Sequence, residues 1–228
     1  MEIEIIENVF KYNEAQASTN REIFKENNIV VFNLLSSPGA GKTSLILETL
    51  KRLKNRLNIG VVEGDISSTH DAMKIKEYID EVVQINTGGT CHLNATMVAK
   101  AIEKLDLKDL DVLIIENVGN LICPVSFDLG EDFKVLVSSV SEGHDKPVKY
   151  PPIFVRSNLI LLNKIDLLNG SDFDTSLFEG KVTELNPGVQ IIKLSCKTGV
   201  GIDEWIKWLE ARVSGKILNV REFSKNSK

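Results

Sequence analysis

The chain has 228 residues, enough for one large α/β domain or two small ones, and its 27 Lys and Arg against 32 Asp and Glu leave a formal charge of −5. That balance argues against a nucleic-acid binder, since such domains usually carry a basic face, and no apolar run reaches the length that a bilayer span needs. Neither nucleic acid nor a membrane is therefore expected as a partner.

Met1-Glu2-Ile3-Glu4 lacks the basic start of a secretory signal, which predicts a cytoplasmic protein. Three cysteines, an odd number, suit metal or catalytic use better than a disulfide framework. Residues 1–28 scatter Ile5, Ile6, Val9, Phe10, Ile23 and Phe24 among charges, a weak helical pattern that predicts an arm beside the first strand. An apolar run over 29–35 leads into Ser36-Ser37-Pro38-Gly39-Ala40-Gly41-Lys42-Thr43-Ser44, and an amphipathic helix is predicted over 44–57. Strand, glycine-bearing loop and helix make a phosphate-binding loop. Its small residues let backbone N–H groups point inward, Lys42 sets an ammonium against the β/γ-phosphates, and the Thr43 hydroxyl suits Mg²⁺. The positive end of the following helix faces the same phosphates. The usual pattern opens with glycine six residues before the lysine, where this chain has Ser36, a small residue that still fits.

Further apolar runs lie at 59–64, 82–85, 112–115, 135–140, 159–162 and 191–194, with helical patterns near 68–78, 94–105, 173–185 and 202–213. Short apolar runs alternating with helices predict an α/β fold, a mostly parallel sheet of about seven strands with helices on both faces. The expected organisation is an arm over 1–28, one domain over 29–213 and a polar, fraying tail over 214–228. Trp205 and Trp208, three apart on the last helix, read as packing residues.

In such a sheet ligands bind beyond the carboxyl ends of the strands. Asp65 follows the second strand and could hold Mg²⁺ directly or through water, while Ser67 or Ser68 in the same loop could simply cap a helix. The run over 112–115 delivers Glu116 and then Gly119, similar to the Asp-x-x-Gly of GTP-binding proteins with Glu for Asp; the acid would orient Mg²⁺ and the Gly119 N–H would sense the γ-phosphate. Asn163-Lys164-Ile165-Asp166 ends another strand, and its task is base choice. The Asp166 carboxylate accepts from guanine N1–H and the exocyclic amine, donors that adenine lacks there. Lys164 would lie along the base, and Ser195-Cys196-Lys197 would back it.

Cys91-His92 and Cys123 lie in two loops that also follow strands. Two thiols and an imidazole suit Zn²⁺ or Ni²⁺ but cannot close a tetrahedral site alone. Spacing by itself favours buried, inert cysteines, since adjacent ligands are uncommon and no Cys-x-x-Cys is present, and Cys196 reads as structural.

Taken together, the phosphate loop, Gly88-Gly89-Thr90-Cys91-His92-Leu93, Glu116-Asn117-Val118-Gly119-Asn120-Leu121-Ile122-Cys123-Pro124 and Asn163-Lys164-Ile165-Asp166 resemble the HypB family of hydrogenase nickel-incorporation GTPases. These are P-loop GTPases of the signal-recognition and MinD-like (SIMIBI) class. The resemblance implies slow GTP hydrolysis, with Lys42, Asp65 and Glu116 acting on Mg²⁺·GTP, and Ni²⁺ or Zn²⁺ at Cys91, His92 and Cys123. It implies a homodimer formed with GTP, a HypA-type nickel metallochaperone as partner, and a [NiFe]-hydrogenase large-subunit precursor as client. The N-terminal cysteine cluster or histidine-rich stretch of some members is missing here. A urease-type nickel GTPase, expected to carry Cys-Pro-His, and a P-loop metabolic kinase are the competing readings; Asn163 to Asp166 argues against the kinase.

Overall fold

The computed structural model describes residues 9–66 and 69–225, with side chains given for 10–66 and 69–215. Ile5, Ile6, the Val9 side chain, the Ser67 and Ser68 caps and the last residues of the tail lie outside that description.

Seven strands form one sheet, β1 (Val30–Ser36), β2 (Ile59–Asp65), β3 (Val82–Asn86), β4 (Val112–Glu116), β5 (Phe133–Ser139), β6 (Leu159–Asn163) and β7 (Gln190–Lys193), in the order β3-β2-β4-β1-β5-β6-β7. Every pairing is parallel. The helices are α1 (Val9–Glu26), α2 (Lys42–Leu53), α3 (His70–Lys76), α4 (Ala95–Ile102), α5 (Lys146–Lys149), α6 (Pro151–Arg156), α7 (Thr175–Leu185) and α8 (Ile202–Lys225). All seven residues of β1 and all five of β4 and β6 are buried, because helices cover both faces of the sheet.

Side chains alternate across a strand. Val30, Phe32 and Leu34 face α2 and α8, where Trp205 and Trp208 are buried as expected and Trp205 Nε1 donates to Thr49 Oγ1 at 2.9 Å. Val31 faces a cluster with Phe24 and Val98, from α1 and α4, and Leu35 one with Phe154 and Phe178, from α6 and α7. The same alternation sets Glu63 and Glu116, direct partners in the β2–β4 register, on the face that α2 covers.

Three features differ from the sequence reading. The arm reaches β1 through Phe24 but lies chiefly along α4, where Asn13 Oδ1 accepts from Ala95 N at 2.8 Å and Asn20 Nδ2 donates to Ala95 O at 2.9 Å. The last helix continues past 213 to Lys225, since neither proline nor a terminating glycine stops it and Gly215 lies inside it. Two short helices, α5 and α6, fill the stretch between β5 and β6, each with proline in its first turn.

Candidate nucleotide and metal sites

β1 ends at Ser36, and the chain turns through Gly39 (φ 76°) and Gly41 (φ 106°) before α2 begins at Lys42. Space as well as backbone conformation demands glycine at the second position, because a Cβ on Gly41 would stand 2.5 Å from Asn163 Nδ2. The loop and the ends of β2 and β4 enclose a cavity of about 450 Å³. Lys42 is buried at its edge and donates from Nζ to Ser36 Oγ at 2.8 Å. The serine that replaces the usual glycine therefore serves as an acceptor for the lysine, besides being small.

Acids gather around Thr43. Its Oγ1 lies 2.9 Å from Glu116 Oε1 and 3.1 Å from Asp71 Oδ2, and its one proton serves one of them at a time. Oε2 of Glu116 and Oε2 of Glu63 are both buried without a hydrogen-bond partner among the described residues. Burial pushes both carboxyls up, Glu63 to about 8 with the Glu116 charge as the next cause, and burial lowers the Lys42 ammonium. Unsatisfied carboxylate oxygens beside a hydroxyl form a donor set for a hard divalent cation, so these residues fit Mg²⁺. Asp65 lines the same cavity, but the acid in contact with Thr43 on the helix side is Asp71, which the sequence reading missed. Its one signal was an acid in the first turn of the helix after β2. Glu63, also missed, stood out as a charge inside an apolar strand, a position that calls for a partner or an ion.

A second cavity, of about 270 Å³, is lined by Asn163, Lys164, Asp166, Cys196 and Lys197 and shares Gly41 and Ser44 with the first. Asn163 is buried and joins three segments: Nδ2 donates to Ala40 O at 2.9 Å, and Oδ1 accepts from Lys164 N at 2.7 Å and Cys196 N at 3.2 Å. Lys164 donates from Nζ to Gly39 O at 2.7 Å, so its stem runs along the cavity while its charge caps the phosphate loop. Ser195 is buried behind the wall and donates from Oγ to Asp166 Oδ1 at 2.6 Å, holding the carboxylate that faces the space. Burial pushes the Cys196 thiol up to about 11, which leaves it protonated and unreactive near neutral pH.

Cys91, His92 and Cys123 come together, with one ligand atom from each lying within 4.8 Å of the others. Cys91 Sγ is 2.9 Å from Cys123 Sγ and 3.8 Å from His92 Nδ1. Burial holds the imidazole below its ordinary value, favouring the neutral form that binds metals. The ring stacks on Phe127 at a centroid distance of 3.9 Å. Asn120 ties the two loops, donating to Cys91 O at 3.3 Å and accepting from Ile122 N at 2.8 Å. All three ligands are only half-buried, which disfavours inert core thiols, and two sulfurs with one nitrogen suit Ni²⁺ or Zn²⁺.

A parallel sheet with a glycine loop between β1 and α2, a buried lysine and an acid–hydroxyl cluster at the strand ends defines a P-loop nucleotide-binding protein. Residues 30–193 match the family model described as the CobW/HypB/UreG nucleotide-binding domain. The Escherichia coli K12 hydrogenase maturation factor HypB is 47% identical over 212 residues, covering 93% of this chain and 72% of that protein. The crystal structure of Helicobacter pylori HypB in complex with nickel superposes with a TM-score of 0.85 at 33% identity, covering 90% of this chain and 96% of that one. The chain belongs to the HypB hydrogenase maturation factors of the CobW/HypB/UreG family. The signal recognition particle receptor FtsY from Elizabethkingia anophelis, 15% identical with a TM-score of 0.51 over 82% of this chain and 67% of its own, shares the fold.

Proposed function

We propose that this chain is a cytoplasmic GTPase that carries nickel in [NiFe]-hydrogenase maturation, working as a homodimer whose assembly depends on GTP and metal. The observation that carries the reading is the continuity of three sites. The base and phosphate cavities share Gly41 and Ser44, and Cys123 lies four residues past Gly119 on the loop that borders the phosphate cavity.

Asp166 accepts from the guanine edge while Ser195 fixes its orientation, so adenine would leave a carboxylate unpaired. Lys42 exchanges its bond to Ser36 for phosphate oxygens. Thr43, Glu116 and Asp71 would hold Mg²⁺, with Asp65 on the same cavity able to act through water, and the bound ion would supply charge neutralisation for the phosphates. Water attacks the γ-phosphate, yielding GDP and phosphate, and intrinsic turnover is slow. Gly119 senses whether the γ-phosphate is present, and its loop passes that state to Cys123.

Nickel is the cargo. Cys91, His92 and Cys123 supply three ligands, and a second subunit or a client supplies the rest. A HypA-type metallochaperone delivers the ion and a hydrogenase large-subunit precursor receives it. The test is a nucleotide competition and turnover assay on the purified full chain with Mg²⁺. GTP should bind and be hydrolysed in preference to ATP; equal use of ATP, or phosphate transfer to a small acceptor, would overturn the reading.

A further inference from the structure

We infer that Asn117 is the positioning residue that transmits nucleotide state to the metal ligands, an inference that rests on the proposed GTPase and metal-carrier reading. Its side chain is almost wholly buried at the end of β4, between the two loops that bear the metal ligands. One atom, Oδ1, accepts both Leu93 N at 3.1 Å and Val118 N at 3.0 Å. Leu93 follows His92 directly, and Val118 precedes Gly119 directly. A single carbonyl oxygen thus holds the backbone beside a metal ligand and the backbone beside the proposed γ-phosphate sensor.

The other side of the amide is anchored. Nδ2 donates to Asn33 Oδ1 at 3.2 Å, and Asn33 in turn donates to Glu131 Oε1 at 3.2 Å. The Asn117 backbone N–H is fixed to Leu34 O at 3.1 Å, two residues before Ser36, where the phosphate loop opens. These bonds hold the amide to the central strand, so it cannot follow one loop without changing the other. Leu93 is fully buried, and its N–H would lose its acceptor if the shared oxygen turned away. Motion of Val118 and Gly119 toward or away from a γ-phosphate is therefore passed to Leu93 and His92 through that oxygen. This connection is independent of the covalent one from Gly119 to Cys123, and it reaches the ligands of the other loop.

The experiment measures Zn²⁺ affinity of the full chain in its GDP form and in its form with a non-hydrolysable GTP analogue, for wild type, Asn117→Ala and Asn117→Asp. Wild type should show affinities differing about tenfold between the two states, within the usual range of site-to-site coupling. Asn117→Ala should bring the ratio close to one while both ligands still bind, and Asn117→Asp, which keeps the acceptor oxygen, should retain most of it. Hydrogen exchange on metal-free wild type gives a second readout that needs no variant. Protection at Leu93 and Val118 should change together between the two nucleotide states. A wild-type ratio of one would remove the underlying carrier reading. A preserved ratio in Asn117→Ala, or exchange that changes at Val118 and not at Leu93, would overturn the role of Asn117 alone.

Discussion

Gly119 lies so close to Pro38 that a methyl group on it would stand 2.9 Å from the Pro38 backbone nitrogen and Cα. The loop after β4 therefore rests directly on the phosphate loop, and only a residue without a side chain permits that contact. Gly119→Ala should push the two loops apart. Overpacking of this kind costs about 1–3 kcal/mol, which corresponds to GTP-analogue binding weaker by about five- to a hundredfold, with GDP binding changed less. Titration calorimetry with both nucleotides checks this; equal losses for the two would mean that Gly119 does not sense the γ-phosphate.

Lys42 has its ammonium buried against Ser36 and is poised to exchange that bond for phosphate. Lys42→Ala should lower GTP turnover by about a hundredfold or more, the scale seen when one preorganised donor is removed from a charged transition state. Circular dichroism should be unchanged. Near-normal turnover in that variant would take the lysine out of the mechanism.

Asp166, the proposed reader of the base, is held by Ser195. Asp166→Asn replaces an acceptor with a donor, so GTP binding should weaken by about ten- to a hundredfold. Xanthosine triphosphate, which has a carbonyl where guanine has its amine, should bind better than before. Competition between the two nucleotides decides the point; an undiminished preference for GTP contradicts the assignment.

The paired acids make a prediction about pH. Glu63 is held at about 8 against an ordinary value of 4.5, so between those values the native protein binds more protons than the unfolded chain. Stability of the nucleotide-free, chelator-treated protein should be fully present below about pH 4.5 as far as this group is concerned, fall as pH rises, and level off above about pH 8. Glu63→Gln should flatten much of that slope in Tm measured across the window. A wild-type Tm that does not fall there, or a Gln variant with the wild-type slope, would contradict it.

The strands and the phosphate loop were legible because their signals are local. A continuous apolar run such as that of β1 is readable without its neighbours, and so is Gly-Lys-Thr directly after it. Asn163 to Asp166 was legible for the same reason. Asp71 and Asn117 were not, since their partners are set by topology. Asp71 reaches Thr43 across 28 residues, and Asn117 reaches Asn33 across 84. The facing of Glu63 and Glu116 depends on β2 pairing with β4, a strand order written in no single segment. The candidate metal ligands fall between these cases. Residue types were visible, but proximity across 32 residues required the fold.

The central claim is that nucleotide and metal share one switch. Cys91, His92 and Cys123 are a candidate ligand set that three residues leave open, and Cys123 follows Gly119 on the loop that borders the phosphate cavity, so a closed dimer should complete the set and GTP should favour it. The most direct measurement is sedimentation velocity with Ni²⁺ or Zn²⁺ titrated against the GDP-bound and GTP-analogue-bound forms of wild type and Cys123→Ser. The account predicts metal-enhanced dimerisation in the GTP-analogue form of the wild type, tighter metal binding in that form, and loss of both in Cys123→Ser. Identical association and identical metal affinity in the two nucleotide states of the wild type would contradict it.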